Sequence, residues 1–304
     1  MLKPKVIVIC GPTASGKTEL SIELAKQING EIVSCDSMQI YKEMNIGTAK
    51  PTTEEMQGIK HYMIDIISPE ERYSVADYKK DAKKAIKEII AKGKTPIVVG
   101  GTGLYVDSLI YEIEYPDIEF DENYRKELED RAEKEGLESL YEEAKKIDPE
   151  AIQKISQNDK KRIIRILEIY HITGKNKTSQ EIESRKKEVE FDYKVYALSW
   201  DREKLYDRIN KRVDIMLQQG LIEEVKEIYK KYNKFPTAMQ GLGYKEVVEY
   251  LEGKCTKEEM IEKIKMETRR YAKRQLTWFR KNKQTIWING QEKIQNNIKI
   301  ILEG

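Results

Sequence analysis

The chain has 304 residues, of which 39% are hydrophobic and 36% are charged, so it can bury a sizeable core under a heavily ionised surface. Its 55 basic and 53 acidic side chains leave a formal net charge of only +2, which excludes overall charge as a source of nucleic-acid affinity. Any such binding must come from local charge segregation. Three cysteines that form no CxxC pair, with only two histidines, argue against a structural zinc site. Without a signal sequence or a long apolar run, we expect a soluble, cytoplasmic protein with no membrane partner.

Strands and helices alternate in the first part of the chain. Short apolar runs predict strands at residues 6–10, 32–35, 62–67 and 95–99, and helical spacing predicts helices at residues 19–27 and 75–91. Such alternation indicates βαβ units, and therefore an α/β fold with a parallel sheet flanked by helices.

The pattern changes after Tyr115-Pro116. Residues 119–150 hold 13 acidic and 6 basic side chains, and residues 154–187 hold 10 basic and 4 acidic ones, both in helix-favouring sequence. Strand character returns at residues 194–200. We therefore predict an all-helical insertion domain over residues 116–193, within a core formed by residues 1–115 and 194–304. From Arg202 to the end we expect helices, with breaks at residues 235–236 and 241–243.

A phosphate-binding loop follows the first strand. It fits G-x-x-x-x-G-K-[ST] at every fixed position and consists of Gly11, Pro12, Thr13, Ala14, Ser15, Gly16, Lys17 and Thr18. Its backbone N–H groups would converge on an anion at a helix N-terminus, with Lys17 at the terminal phosphate and the Thr18 hydroxyl on Mg²⁺. The strand–loop–helix context disfavours a chance glycine turn. The loop alone does not distinguish a diphosphate from a triphosphate.

Asp36 ends the second predicted strand, where a carboxylate would project into the crevice in which parallel sheets bind ligands. A turn or N-cap aspartate is the structural alternative. A phosphoryl-transferring kinase could use Asp36 as its base and Asp65 as the magnesium-binding aspartate.

Six motifs in order along the chain allow a more specific interpretation. GPTASGKT, SCDSMQIYKEMNIGTAKP, VVGGTGLY, NDKKRIIRILEIYHITGK, MQGLGYKE and RRYAKRQLTWFR together resemble the bacterial tRNA dimethylallyltransferases. The resemblance implies a P-loop NTPase-like core and Mg²⁺ as cofactor. It also implies attack by the exocyclic amine of adenine on C1 of dimethylallyl pyrophosphate.

The same resemblance assigns catalytic roles. Asp36 would be the general base, Thr102 would contact the flipped adenine, and Arg212 would help Thr13 and the phosphate loop to hold the pyrophosphate. A strand-to-helix turn is the plain alternative for Thr102. For Arg212, which shares a helix with Arg208, the alternative is a solvated helix face.

RNA binding is also indicated by residues 261–284, which carry nine basic and two acidic side chains. Arg270, Lys273, Arg274 and Thr277 would share one helix face, whereas we expect the interleaved aromatics to be core. Gln39 and Gln240 could read base edges. The predicted tRNA-binding residues are Asp36, Ser37, Met38, Gln39, Thr102, Arg125, Lys160, Lys161, Arg162, Ile163, Ile164, Arg165, Gln240, Gly241, Leu242, Gly243, Tyr244, Lys245, Arg270, Lys273 and Arg274.

The implied target is the adenosine 3′ of the anticodon, in the anticodon stem-loop of tRNAs that read codons starting with U. We expect a monomer. A metabolite kinase, a prenyltransferase acting on free adenine nucleotides, and an RNA-binding P-loop module without transfer chemistry remain alternatives.

Overall fold

The structure, a computed structural model, describes residues 3–115, 121–186 and 188–304. Its elements in chain order are β1 (Lys5–Cys10), α1 (Lys17–Gln27), β2 (Gly30–Ser34), α2 (Thr53–Met56), β3 (His61–Tyr62), α3 (Val75–Ala91), β4 (Thr95–Gly100), α4 (Gly103–Ile110), α5 (Glu122–Glu135), α6 (Leu137–Ile147), α7 (Pro149–Ile152), α8 (Lys160–Thr173), α9 (Lys177–Arg185), β5 (Asp192–Ser199), α10 (Arg202–Gln218), α11 (Leu221–Lys231), α12 (Tyr244–Leu251), α13 (Lys257–Phe279), β6 (Ile286–Asn289) and α14 (Ile294–Glu303).

All six strands join one parallel sheet in the order β3-β2-β4-β1-β5-β6. This confirms the predicted α/β class. Strand β1 is central and is buried from Val6 to Cys10, as expected for a parallel strand whose two faces are both covered. Helices α1 and α14 pack against the sheet through Leu20, Leu24, Ile298 and Ile301, which are at most 2% exposed.

The chain divides into two compact units. The first comprises Met1–Asp107 with Glu190–Gly304, and the second comprises Ser108–Val189. The first contains the whole sheet, and its later helices α10 to α13 share a second apolar cluster that includes Val213, Val225, Val247 and Ile264. Within the described residues, no helix is both long and apolar enough to cross a membrane.

The second unit contains helices α5 to α9 and no strand within its described residues. Its core contains Leu128, Leu140, Ile163, Ile164 and Leu167, each at most 1% exposed. The unit starts and ends earlier than the predicted insertion of residues 116–193, because α4 runs across its start and β5 already begins at Asp192. Residues 116–120 and 187, on which part of that prediction falls, lie outside the described residues.

Two secondary-structure predictions were wrong. The strand predicted at residues 62–67 is reduced to His61–Tyr62, because Met63 and Asp65 have φ values of 62° and 56°, which no extended strand adopts. Residues 286–289, predicted as part of a helical C-terminal region, form β6 beside β5 instead. The apolar sequence Ile286-Trp287-Ile288, too short for a helix of its own, was the available signal.

Candidate active site

The phosphate loop lies between the carboxyl end of β1 and the start of α1, at the crevice edge of the sheet. Gly11, Ala14 and Gly16 have φ values of 144°, 61° and 90°. Positive φ values at these three positions curl the loop backbone, so that successive N–H groups can turn towards one centre, as in an anion-binding loop. The predicted strand–loop–helix context is therefore present.

Helix α10 and the end of β5 hold the outer side of this loop. Trp200 donates its indole N–H to the carbonyl of Ser15 at 3.0 Å, and Arg208 donates from Nε to the carbonyl of Ala14 at 2.8 Å. The Arg208 guanidinium also lies over the Trp200 ring, 4.4 Å from its centroid. Arg208 thus supports the loop, whereas sequence reasoning treated it only as a neighbour of Arg212.

Lys17 is the cation of the loop. Its Nζ donates to the carbonyl of Pro12 at 2.7 Å. Burial, followed by the charge of Arg212, lowers the pKa of Lys17 to about 8, although the carboxylate of Asp36 opposes the shift. An anion bound here would restore the charged form, because opposite charge favours the protonated lysine.

Arg212 lies at the crevice, and its predicted contact with pyrophosphate stays a prediction. It lines the crevice with Lys17, Thr18 and Asp36. Burial and the charge of Arg208 lower its pKa, but an arginine remains charged at any ordinary pH. The residue is partly buried and lines both pockets of the crevice. This arrangement is incompatible with the alternative of a solvated helix face.

Asp36 follows β2, and its contacts are compatible with both of the roles considered for it, a turn cap and a general base. Its Oδ1 accepts hydrogen bonds from the backbone N–H groups of Met38 at 2.9 Å and Gln39 at 3.4 Å, which makes it a turn cap. No described residue donates to Oδ2. Burial raises the pKa of the carboxyl group, while the Met38 N–H and Lys17 oppose the rise. A carboxylate with a raised pKa is a stronger base, so the second oxygen is suited to accept a proton.

Thr102 joins the loops that follow β2 and β4. Its Oγ1 accepts from the backbone N–H of Ser37 at 3.0 Å, and its backbone N–H donates to the carbonyl of Cys35 at 3.2 Å. Its hydroxyl also donates to Ser37 Oγ at 3.3 Å. These contacts give Thr102 a structural task next to Asp36, while its predicted contact with adenine stays a prediction.

Two adjoining pockets share six lining residues, which are Thr13, Asp36, Thr48, Ala49, Arg212 and Tyr271. The inner pocket extends from them to Lys17 and the β4 loop. The outer pocket extends towards residues 240–245 and has a volume of about 320 Å³, within the range of small-molecule sites. An anion in the phosphate loop and a second reactant in the outer pocket would therefore meet beside Asp36.

Sequence reasoning missed two of the residues that build this junction. Tyr271 was expected in the core with the other aromatics of α13, yet it is only partly buried and lines both pockets. Gln275, one helical turn further on, is buried and bonded to the phosphate loop. Their i, i+4 spacing in the RRYAKRQLTWFR motif was a usable signal that they share a face.

The kinase alternative requires a second, magnesium-binding carboxylate, for which Asp65 was the candidate. The Asp65 carboxylate pairs with the buried Lys50 at 2.5 Å and lines neither pocket. Strand β4, the neighbour of β1, ends at Gly100 and is followed by Gly101-Thr102, without a carboxylate. Within the described residues no group of three or more His, Cys, Asp or Glu side chains could hold a metal.

Comparison with known proteins places this site in a family. A family model described as IPP transferase matches residues 39–282. The tRNA dimethylallyltransferase of Acetivibrio thermocellus is 53% identical over 303 residues, covering 98% of this chain and 97% of the relative. That of Thermoanaerobacter sp. is 52% identical over 279 residues, covering 91% and 89%.

The chain belongs to the tRNA dimethylallyltransferase family.

Solved structures agree with this membership. The tRNA isopentenylpyrophosphate transferase of Bacillus halodurans superposes with a TM-score of 0.74 at 43% identity, covering 99% of this chain and 95% of that one. A eukaryotic dimethylallyltransferase acting on tRNA gives a TM-score of 0.78 at 34% identity, covering 95% of this chain and 74% of that one. The predicted family is therefore confirmed.

Most of the crevice-side residues predicted to bind tRNA in this family member line the outer pocket. Besides Asp36, they are Ser37, Met38, Gln240, Gly241, Leu242, Gly243, Tyr244, Lys245 and Arg274. Tyr244 is buried, and its hydroxyl donates to Glu224 at 2.6 Å. Gln39 lies deeper; its amide accepts from Ser34 Oγ and donates to the carbonyls of Thr48 and Ala49. Base reading by Gln39 would require these bonds to exchange, whereas Gln240 is exposed.

Helix α13 carries the predicted basic face. Arg270, Lys273 and Arg274 are exposed. Arg270 pairs with Glu267 at 2.6 Å, and the Arg274 guanidinium lies 5.8 Å from the ring centroid of Tyr271. The face is thus solvent-accessible next to the pocket, and its contact with tRNA stays a prediction.

The isoleucines predicted as tRNA contacts in the second unit must be corrected. Ile163 and Ile164 are at most 1% exposed and belong to the core of that unit, so no RNA atom can reach them in this fold. They lie on the apolar stripe of α8, and helical periodicity alone indicated burial. Their assignment followed the neighbouring basic residues rather than that periodicity.

The basic side chains of the second unit differ in how closely they pair with carboxylates. Arg125 and Arg165 flank the buried carboxylate of Glu168 at 3.1 Å and 3.4 Å, and they neutralise a charge that would otherwise be costly to bury. Lys160 approaches Glu133 at 3.4 Å. Lys161 and Arg162 are exposed, but Arg162 also pairs with Asp159 at 3.4 Å, so Lys161 is the better RNA-binding candidate in this cluster.

Proposed function

We propose that this chain transfers a dimethylallyl group from dimethylallyl pyrophosphate to the exocyclic N6 amine of the adenosine 3′ of the anticodon, in tRNAs that read codons starting with U. The family's curated relatives are tRNA dimethylallyltransferases, and the chain is accordingly a prenyltransferase acting on tRNA. One observation carries the mechanistic part: the phosphate loop and Asp36 open into the same junction, with Arg212 between the two pockets.

In the proposed chemistry, the phosphate loop stabilises the leaving pyrophosphate and Asp36 accepts a proton from the adenine amine. The N6–C1 bond forms as the C1–O bond of the allylic pyrophosphate breaks, the pyrophosphate leaves, and the amine proton passes to Oδ2 of Asp36. The loop N–H groups, Lys17 and Arg212 stabilise the charge that develops on the leaving group, and because they are held in place beforehand they do so without reorganisation. A base of this kind typically contributes about 10²–10⁴-fold.

Magnesium fits this site as an ion carried by the pyrophosphate. Thr18 is exposed at the inner pocket and offers one hydroxyl oxygen beside Lys17. Because Mg²⁺ commonly keeps several waters and binds through substrate phosphates, the ion would arrive with the pyrophosphate and take the Thr18 hydroxyl as a protein ligand. The ion would supply additional charge neutralisation for the leaving group.

The tRNA would deliver its adenine through the outer pocket. A stacked base cannot reach a buried electrophile, so the nucleotide must be flipped out. The exposed cations of α13 beside the pocket suit the phosphates of an anticodon stem-loop. A prenyltransferase acting on free nucleotides would have no use for this face. We further propose a monomeric enzyme, since one chain supplies every residue invoked, and a cytoplasmic location, where tRNA is found.

One assay separates this function from its rivals. Dimethylallyl pyrophosphate labelled in the allyl group is incubated with unmodified tRNA, with tRNA whose target adenosine is replaced by guanosine, or with AMP. We expect label only in the adenosine-containing tRNA, and negligible ATP hydrolysis. Label in AMP would favour the free-nucleotide enzyme, steady ATP turnover without label would favour a kinase, and tRNA binding with neither activity would indicate an RNA-binding module.

A further inference from the structure

Gln275 lies where α13 faces two loops of the crevice. Its Oε1 accepts from the backbone N–H of Thr13 at 2.8 Å, and its Nε2 donates to the carbonyl of Gly101 at 2.9 Å. The side chain is only 5% exposed. One amide therefore uses an acceptor and a donor in a fixed orientation to connect the phosphate loop with the loop after β4.

The contact is tight on the β4 side. A Cβ atom at Gly101 would lie 2.2 Å from the Gln275 amide nitrogen, so the amide packs directly on a residue that has no side chain. Beyond Gly101, Thr102 bonds to Ser37 and Cys35, which flank Asp36. A continuous path of hydrogen bonds thus runs from the phosphate loop through Gln275 to the loop of the proposed base.

We propose that Gln275 is a positioning residue that fixes the phosphate loop relative to the Asp36 loop, so that the leaving group and the base act on one aligned substrate pair. The inference rests on the proposed prenyl transfer. Both polar groups of the amide are used by the backbone, so Gln275 acts through Thr13 and Gly101 and not on the substrate. Misplacement by about 1 Å of groups that align reactants can cost about 10²-fold in rate.

Two substitutions of similar size test the orientation of the amide. Gln275→Met removes both hydrogen bonds. Gln275→Glu keeps an acceptor for the Thr13 N–H, but when ionised it has no proton for the Gly101 carbonyl. The protonated acid has one, and therefore restores both bonds. Burial raises the pKa of a glutamate, so the variant should regain function as the pH falls.

Each variant is measured for its affinity for inorganic pyrophosphate by calorimetry, and for its single-turnover transfer rate between pH 6 and 8. Gln275→Met should lower the transfer rate by about 10- to 100-fold and weaken pyrophosphate binding. The rate of Gln275→Glu relative to wild type should rise about threefold or more from pH 8 to pH 6. Gly101→Ala, which displaces the amide while leaving Gln275 in the chain, should behave like Gln275→Met.

A matched control is Gln295→Met on α14, which removes the 3.0 Å amide bond from Gln27 between two helices remote from the crevice. It should leave rate and affinity unchanged. The proposal fails if folded Gln275→Met matches wild type in both measurements, or if the relative rate of Gln275→Glu does not change with pH. If wild type transfers no label, the proposed function fails instead, and pyrophosphate affinity alone decides the role of Gln275.

Discussion

Replacing Asp36 by asparagine should lower the single-turnover rate of prenyl transfer by about two to four orders of magnitude, because an amide cannot take the proton of the adenine amine. The structure makes this substitution specific. The Oδ1 atom of Asp36 accepts from Met38 and Gln39, and the amide oxygen of asparagine can accept the same two bonds. Only the second oxygen, Oδ2, is replaced by an NH₂ group.

The pH dependence gives a second test of the same assignment. Burial raises the pKa of Asp36 in the folded protein. The wild-type rate should therefore fall as the pH drops through that raised pKa, because the protonated acid cannot act as a base, and the asparagine variant should lack this limb.

The folding stability contributed by Asp36 should depend on pH in the opposite direction to the transfer rate. A raised folded-state pKa means that the stability contributed by Asp36 is complete at low pH and is lost as the pH rises through that value. At pH 7 the asparagine variant should unfold at the same urea concentration as wild type or a higher one. Asp36→Ala, which also removes the cap, should be less stable than Asp36→Asn by about 1 kcal/mol.

The assay uses enzyme in excess over labelled dimethylallyl pyrophosphate and unmodified tRNA, so that product release does not limit the rate. The assignment would be refuted by a folded Asp36→Asn enzyme that retains more than about a tenth of the wild-type rate. Such a loss, of less than about tenfold, is smaller than the usual contribution of a general base. Asp36 would then be a capping residue, and ionisation of the allylic pyrophosphate would dominate the chemistry.

Three further substitutions test other parts of the site. Wild-type affinity for inorganic pyrophosphate should decline as the pH rises through about 8, where Lys17 loses its proton. The Lys17→Ala variant, measured by calorimetry, should bind pyrophosphate more weakly, and its affinity should not show this decline with pH. Replacing Arg270, Lys273 and Arg274 together by alanine should flatten the plot of log tRNA affinity against log salt by about two units, and an unchanged slope would exclude this RNA face. Ile164→Ala should cost about 2–5 kcal/mol in the unfolding of the second unit, measured in urea, whereas a direct RNA contact would instead appear as weaker binding at unchanged stability.

The features that sequence predicted best are local ones. The phosphate loop is a contiguous motif between a strand and a helix, so the spacing of Gly11, Gly16, Lys17 and Thr18 contains its geometry. Helix α3 was predicted at the observed bounds because its apolar stripe is local in sequence, and the structure adds a capping box of Ser74 with Asp77 at its start.

What sequence missed depends on distant contacts. Gln275 bonds to Thr13 across 262 residues and to Gly101 across 174, and no periodicity encodes such partners. Tyr271 was assigned to the core because an aromatic residue within a helix is usually buried, and its position at the junction follows from the way α13 packs beside the crevice. The short strand β6 was overlooked because helical sequence surrounds it and its pairing partner, β5, lies about 90 residues earlier.

Helix α13 shows how a chain with a net charge of +2 can present a face suited to RNA. Its 23 residues span roughly 34 Å at 1.5 Å per residue. Tyr271 and Gln275 lie one turn apart and face the crevice, whereas Arg270, Lys273 and Arg274 lie on the exposed side. Because Arg274 and Tyr271 both line the outer pocket, a phosphate held by the exposed side would lie close to the opening through which a flipped base must pass. Local segregation of charge on one helix, rather than total charge, therefore accounts for a positive surface beside the reaction pocket.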